Sequence, residues 1–178
     1  MRIFIALEIP SLMQDELAGL VRPLRASVPG RFIPRENWHV TLAFLGDVPE
    51  ACLPDIEDAL DEAAKGIGRI TLVPDRLGKF GRSADASLWL GLADDPHLSA
   101  LAARLREELR RREFPFDDKP FLPHITLARR ARIPKGDLPP LPFPGPALAT
   151  RVAVFKSTLS REGASYEEMY GIDLEPAR

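Results

Sequence analysis

Hydrophobic positions recur along the chain with two periods and divide it into strand and helix candidates. Arg2 to Glu8 alternates around Phe4, Ala6 and two isoleucines. It predicts a first strand, central in its sheet because both faces are apolar. Leu12, Leu17, Leu20, Val21 and Leu24 repeat near helical spacing, so Leu12 to Ala26 reads as a helix that Pro23 should end or kink. Pro29-Gly30 is a turn, and Arg31 to Asn37 leads into an apolar run from Trp38 to Gly46. Pro49 to Lys65 carries Leu53, Ile56, Leu60 and Ala63 on one side and acidic residues on the other, the pattern of a surface helix. Ile70 to Val73 and Ser87 to Leu92 read as strands. Between them, the Gly-rich Leu77 to Arg82 is expected to be a bend or loop.

The clearest helix runs from Pro96 to about Glu113, with Leu98, Leu101, Leu105 and Leu109 in one stripe and Asp94-Asp95-Pro96 at its start. Phe114 to Pro123 approaches a second apolar run, Pro123 to Arg129. Ala131 to Pro146 holds many of the 18 prolines and predicts an extended loop. Val152 to Ser157 and Tyr166 to Leu174 are the last strands, with a turn at Gly163. Strands mixed with about three helices, without strict βαβ alternation, argue for an α+β fold with largely antiparallel sheets.

Two of these runs share a core. His39-Val40-Thr41-Leu42 returns as His124-Ile125-Thr126-Leu127, about half the chain later, and uses two of the three histidines. Alternate side chains of a strand share a face, so His39 projects with Thr41 and His124 with Thr126. An internal duplication is expected: two pseudo-symmetric lobes flanked by helices, one body over residues 1–178, and a cleft between the lobes.

Composition narrows the partners. Net charge is −2, which leaves no broad positive field for a long nucleic-acid backbone, while a small anion in a local pocket remains allowed. The single cysteine, Cys52, excludes an internal disulfide and a cysteine zinc site, and reads as packing. No segment approaches the ~18 apolar residues of a membrane span. A soluble cytoplasmic protein, monomeric by default, is expected.

Two imidazoles facing each other across a cleft can divide labour, one accepting a proton and one donating it, since their ordinary pKa of ~6.5 makes both states accessible. A threonine hydroxyl beside each can hydrogen-bond a phosphate oxygen, and in-line displacement at phosphorus needs an acid and a base on opposite sides. A lone His-x-Thr is usually structural; the repeat changes that balance. Metal binding is weakened because threonine is a poor ligand and neither motif carries an acid on the histidine face. No Gly-x-Ser-x-Gly elbow supports a serine hydrolase.

These residues resemble the two-histidine (2H) phosphoesterases, whose hallmark is a duplicated His-x-Thr/Ser signature, and within them the RNA 2′,3′-cyclic phosphodiesterases, also called 2′-5′ RNA ligases. The resemblance extends through Arg2 to Leu7, Glu36 to Gly46, Leu88 to Leu92, Phe121 to Arg129, Ser157-Thr158-Leu159, Gly163 and Tyr166. It implies a bilobal α+β fold with the active site in the central cleft. It also implies hydrolysis of a ribose 2′,3′-cyclic phosphate to a 2′-phosphate, on an RNA end or a nucleotide, with neither metal nor cofactor. His39 would be the proton donor, His124 the proton acceptor, and Thr41 and Thr126 the phosphate binders. Arg129 stands where this family usually keeps an arginine, as a candidate contact for phosphate or RNA backbone against a solvated surface role. Strict alternation turns it away from His124 and Thr126, so reaching phosphate requires a strand end or a bulge. Arg130, Arg132, Lys79, Arg82 and His97 read as surface residues. Phe44 and Phe121 could stack on a base, with burial in the core favoured for Phe44. Ligation through the same site in reverse and a non-catalytic module for nucleotides or RNA ends are the competing functions.

Overall fold

Arg2–Glu8 forms β1, and its five middle residues, Ile3 to Leu7, are all buried. That requires cover on both faces, and β1 lies inside a four-stranded sheet in the order β10-β9-β1-β3, flanked by β3 (His39–Asp47) and β9 (Arg151–Ser160), with β10 (Gly163–Asp173) outermost. The computed structural model of the chain describes residues 1–136, 138 and 140–176. A second sheet has the order β2-β7-β6-β5, from Arg31–Phe32, His124–Ala131, Asp85–Leu92 and Pro74–Arg82. β4 (Ile70–Leu72) and β8 (Ala147–Ala149) pair separately. Every pairing between these strands is antiparallel. With α1 (Ser11–Ser27), α2 (Leu53–Ala64) and α3 (Pro96–Arg111), the architecture is the expected α+β.

The helices form for the reasons their patterns give. In α3 the Asp95 side chain accepts the backbone N–H groups of His97 and Leu98, and Leu98, Leu101, Leu105 and Leu109 are buried. Buried residues of both sheets and all three helices form one continuous apolar cluster.

Two expectations need correction. Of the two outcomes expected at Pro23, the end of the helix does not occur: α1 runs on to Ser27, with Leu20, Val21 and Leu24 buried on its inner face. The Gly-rich Leu77 to Arg82 is no loop but most of β5; Gly78 is there to admit the Trp89 ring, which a Cβ would meet at 2.1 Å. The short strand β8 is an addition that the apolar pattern does not mark. The two large sheets make the two expected lobes, and they exchange strands. β9 and β10 from the second half of the chain complete the first sheet, and β2, β5 and most of β6 from the first half join β7 in the second. A strand with two apolar faces needs two neighbours, and β1 takes one from each half. Residues 132–136, 138 and 140–146 of the proline-rich segment carry no regular structure, while 137 and 139 lie outside the described residues.

Candidate active site

Both His-x-Thr strands depart from simple alternation at the same place. Against β1, β3 pairs His39 with Glu8 and Thr41 with Ala6, then slips so that Ala43 meets Ile5 and Phe44 meets Phe4. Against β6, β7 pairs His124 with Gly91 and Thr126 with Trp89, then slips so that Ala128 meets Leu88. In each strand an extra residue, within Leu42-Ala43 or Leu127-Ala128, is absorbed as a bulge, and both residues of each pair are buried. The fifth residue after each histidine therefore returns to the histidine face. Those residues are Phe44 and Arg129. A further slip beyond Ala128, with Arg130 at φ 50°, precedes the last pair, Ala131 with Ala86.

The histidines are held alike. His39 Nδ1 lies 2.7 Å from the Asn37 carbonyl oxygen, and His124 Nδ1 lies 2.6 Å from that of Leu122. A carbonyl oxygen only accepts, so Nδ1 carries a proton in both rings and Nε2 is the nitrogen left for chemistry. Each ring is met edge-on by one aromatic side chain, Tyr166 at 5.4 Å for His39 and Phe80 at 5.2 Å for His124. A second aromatic lies tilted against each, Phe4 at 4.9 Å and Trp89 at 5.8 Å. The copies differ in one contact: the Thr41 hydroxyl sits 2.9 Å from His39 Nε2 and donates to it while that ring is neutral.

Burial pushes His39 down from 6.5 to about 4; its bond to the Asn37 carbonyl opposes the shift, and the positive charge of Arg129 and His124 adds to it. Burial also lowers His124, again with Arg129 reinforcing the effect. Both rings are thus neutral near pH 7 in the free protein.

A cavity of about 340 Å³ opens on this face, lined by His39, Thr41, Phe44 and Arg129 together with Arg2, Phe4, Ser157 and Tyr166. It contains two guanidinium groups and no carboxylate. Neither Arg2 nor Arg129 forms an ion pair among the described residues. Anions are therefore favoured here. A second cavity of about 380 Å³, on the other flank of Phe4, His39 and Tyr166, includes Glu8 and Glu36 and no arginine. His124 and Thr126 do not line the first cavity; they stand beside it on β7, the strand that supplies Arg129.

Several expectations change with this geometry. Phe44 is half-buried at the cavity, with the Arg2 guanidinium 4.8 Å from its ring centre, and is not a core residue. Arg130, Arg132, Lys79, Arg82 and His97 are exposed. Phe121 packs against the core, with Arg106 5.7 Å from its ring. Sequence reasoning assigned no site role to Arg2, Phe4 or Tyr166. Arg2 and Phe4 alternate with Ala6 on the face of β1 that opposes Phe44 and Thr41, a signal that becomes usable only once the pairing of β1 with β3 is known. Among the described residues no three His, Cys, Asp or Glu side chains cluster as metal ligands would, and no helix is long and apolar enough to cross a membrane.

The sequence model described as LigT like Phosphoesterase matches the chain twice, over residues 7–89 and 90–166. Each match contains one His-x-Thr strand. The chain belongs to the LigT-like phosphoesterase family. The repeat recognised in the two motifs is thus a repeat of the family unit itself. An RNA 2′,3′-cyclic phosphodiesterase of Thermotoga maritima is 29% identical over 98% of this chain and 96% of its own length. The structure of TT0787 of Thermus thermophilus aligns over 100% of both chains with TM-score 0.84 and 27% identity. Escherichia coli LigT complexed with 3′-AMP aligns over 97% of each chain, with TM-score 0.78 and 30% identity. Further structures of the Escherichia coli protein hold phosphate or ATP.

Proposed function

We propose that this chain hydrolyses ribose 2′,3′-cyclic phosphates on RNA ends or nucleotides to 2′-phosphates. The observation that carries this reading is the matched pair of histidines, each with Nδ1 tied to a carbonyl and Nε2 left for chemistry, beside a cavity with two arginines and no acid. Relatives named RNA 2′,3′-cyclic phosphodiesterase cover nearly the whole chain and support it. LigT holds 3′-AMP, a ribose phosphate of the kind the cleft would receive.

In the proposed step His124 Nε2 takes a proton from water as the oxygen attacks phosphorus. The bond from phosphorus to the ribose 3′ oxygen breaks, and His39 Nε2–H protonates that oxygen. Thr41, Thr126 and Arg129 hold the phosphate oxygens as negative charge builds on them. No residue set for a metal or cofactor enters the step. The bound anion replaces the Thr41 hydroxyl as partner of His39 and favours its protonated form. A ring whose burial disfavours the cation is then a strong acid, while the less buried His124 keeps more of its basicity.

The pH dependence follows from the directions of the two shifts. Both pKa values lie below 6.5 in the free protein, so the bell in kcat/KM for 2′,3′-cyclic AMP has both limbs below about pH 6.5. The anion raises both histidines in the complex, so the kcat bell lies at higher pH. Rate profiles measured with EDTA present test this; coincident bells centred near pH 7, or activity that needs an added divalent ion, would count against the mechanism.

A further inference from the structure

The two bulged strands bring different side chains to equivalent places. Arg129 occupies the fifth position after His124 and supplies a guanidinium directly. Phe44 occupies the fifth position after His39 and has no charge to give, but its ring carries the guanidinium of Arg2 at 4.8 Å. A cation over an aromatic face is attracted by the ring quadrupole. Arg2 meets no carboxylate among the described residues and lines the cavity with Phe44 and Ser157.

Its position sets it apart from the reacting centre. Phe44 lies toward the end of β3 away from His39, and Phe4, which pairs with Phe44, still lays its ring 4.9 Å from His39, so the two ends face one continuous apolar floor. β1 runs antiparallel, so Arg2, paired with Asp47, enters from the end opposite to His39, which pairs with Glu8. Arg129, in contrast, acts electrostatically on both histidines. The cavity thus has one guanidinium at its reactive end and one at its far end, with apolar Phe4 and Phe44 between them.

We infer, building on the phosphodiesterase activity proposed above, that Arg2 forms a second phosphate subsite. It receives the phosphate on the 5′ side of the nucleotide whose cyclic phosphate reacts, and Phe44 is the residue that positions it. An RNA end carries that second phosphate, and a bare cyclic nucleoside phosphate does not. Arg2 therefore selects RNA ends and 5′-phosphorylated nucleotides over the simplest cyclic nucleotide.

The test compares adenosine 2′,3′-cyclic phosphate with the same compound carrying a 5′-phosphate. The protein turns over the 5′-phosphorylated compound with kcat/KM about tenfold higher, the scale of one charge-assisted hydrogen bond. Arg2→Ala abolishes the preference, Arg2→Lys keeps part of it, and Phe44→Leu weakens it with Arg2 still in place. Arg129→Ala lowers turnover of both compounds in similar proportion. Equal kcat/KM for the two compounds, or a preference that survives in Arg2→Ala, overturns the subsite while leaving the proposed hydrolysis intact. Turnover of neither compound overturns both.

Discussion

His124→Ala lowers kcat for 2′,3′-cyclic AMP on the order of 10³-fold, and His39→Ala does the same, the usual scale for removing a general acid or base. Each ring has a single main-chain anchor at Nδ1, and the Thr41 hydroxyl that meets His39 Nε2 is displaced by the substrate in the proposed step. The core beneath them is made by Val40, Leu42, Ile125 and Leu127, all fully buried. Truncating a histidine therefore removes the proton transfer without removing the packing, and urea midpoints should stay close to that of the unaltered protein. Groups that act in one concerted step are not additive, so the double variant is little worse than either single one. In each single variant one limb of the pH profile disappears. A single variant that keeps more than about a tenth of the activity would show that its histidine does not transfer a proton in the limiting step.

The second large effect is on stability, and it comes from a glycine. A Cβ at Gly78 would lie 2.1, 2.4 and 2.5 Å from three atoms of the Trp89 ring. That ring is 4% exposed and is wedged against Phe80 and His124. Gly78→Ala forces it to move into packed surroundings, at a cost of about 2–3 kcal/mol. The displacement presses on His124, so kcat falls as well. Urea unfolding measures the first effect and steady-state kinetics the second. A stability change below about 0.5 kcal/mol, the range of ordinary surface substitutions, would mean that the ring has room to give.

Gly78 also shows where the amino-acid pattern misleads. Glycines at 78 and 81 punctuate a polar stretch, and local reasoning turns them into a bend. Their strand is explained by a residue of the next strand, Trp89, which pairs directly with Gly78 across β5 and β6. The two His-x-Thr strands were legible because β-branched and apolar residues surround them, and β1 declared its central place through two apolar faces. Pairing partners were not legible, because apolar alternation marks a strand without naming its neighbours. Hence the sharing of β9, β10, β2, β5 and most of β6 between the halves had to come from the fold.

Arg129 illustrates the same limit at the site. Alternation alone turns it away from His124 and Thr126, and it returns only through a bulge. The slip between Thr126 and Ala128 supplies one, and the same slip after Thr41 brings Phe44 to the cavity. A bulge is a property of two strands in register, so neither strand reveals it alone. Arg2, Phe4 and Tyr166 escaped for a related reason: they reach the cavity from β1 and β10, strands whose face is fixed only by their neighbours.

The most direct measurement uses a short RNA ending in a 2′,3′-cyclic phosphate, incubated with the protein in EDTA, with the product's terminal phosphate located by mass spectrometry and phosphatase mapping. A two-histidine step that expels the 3′ oxygen yields an RNA with a 2′-phosphate and a free 3′-hydroxyl, and no such product with His39→Ala or His124→Ala. A 3′-phosphate product, or an RNA end left cyclic, would contradict it.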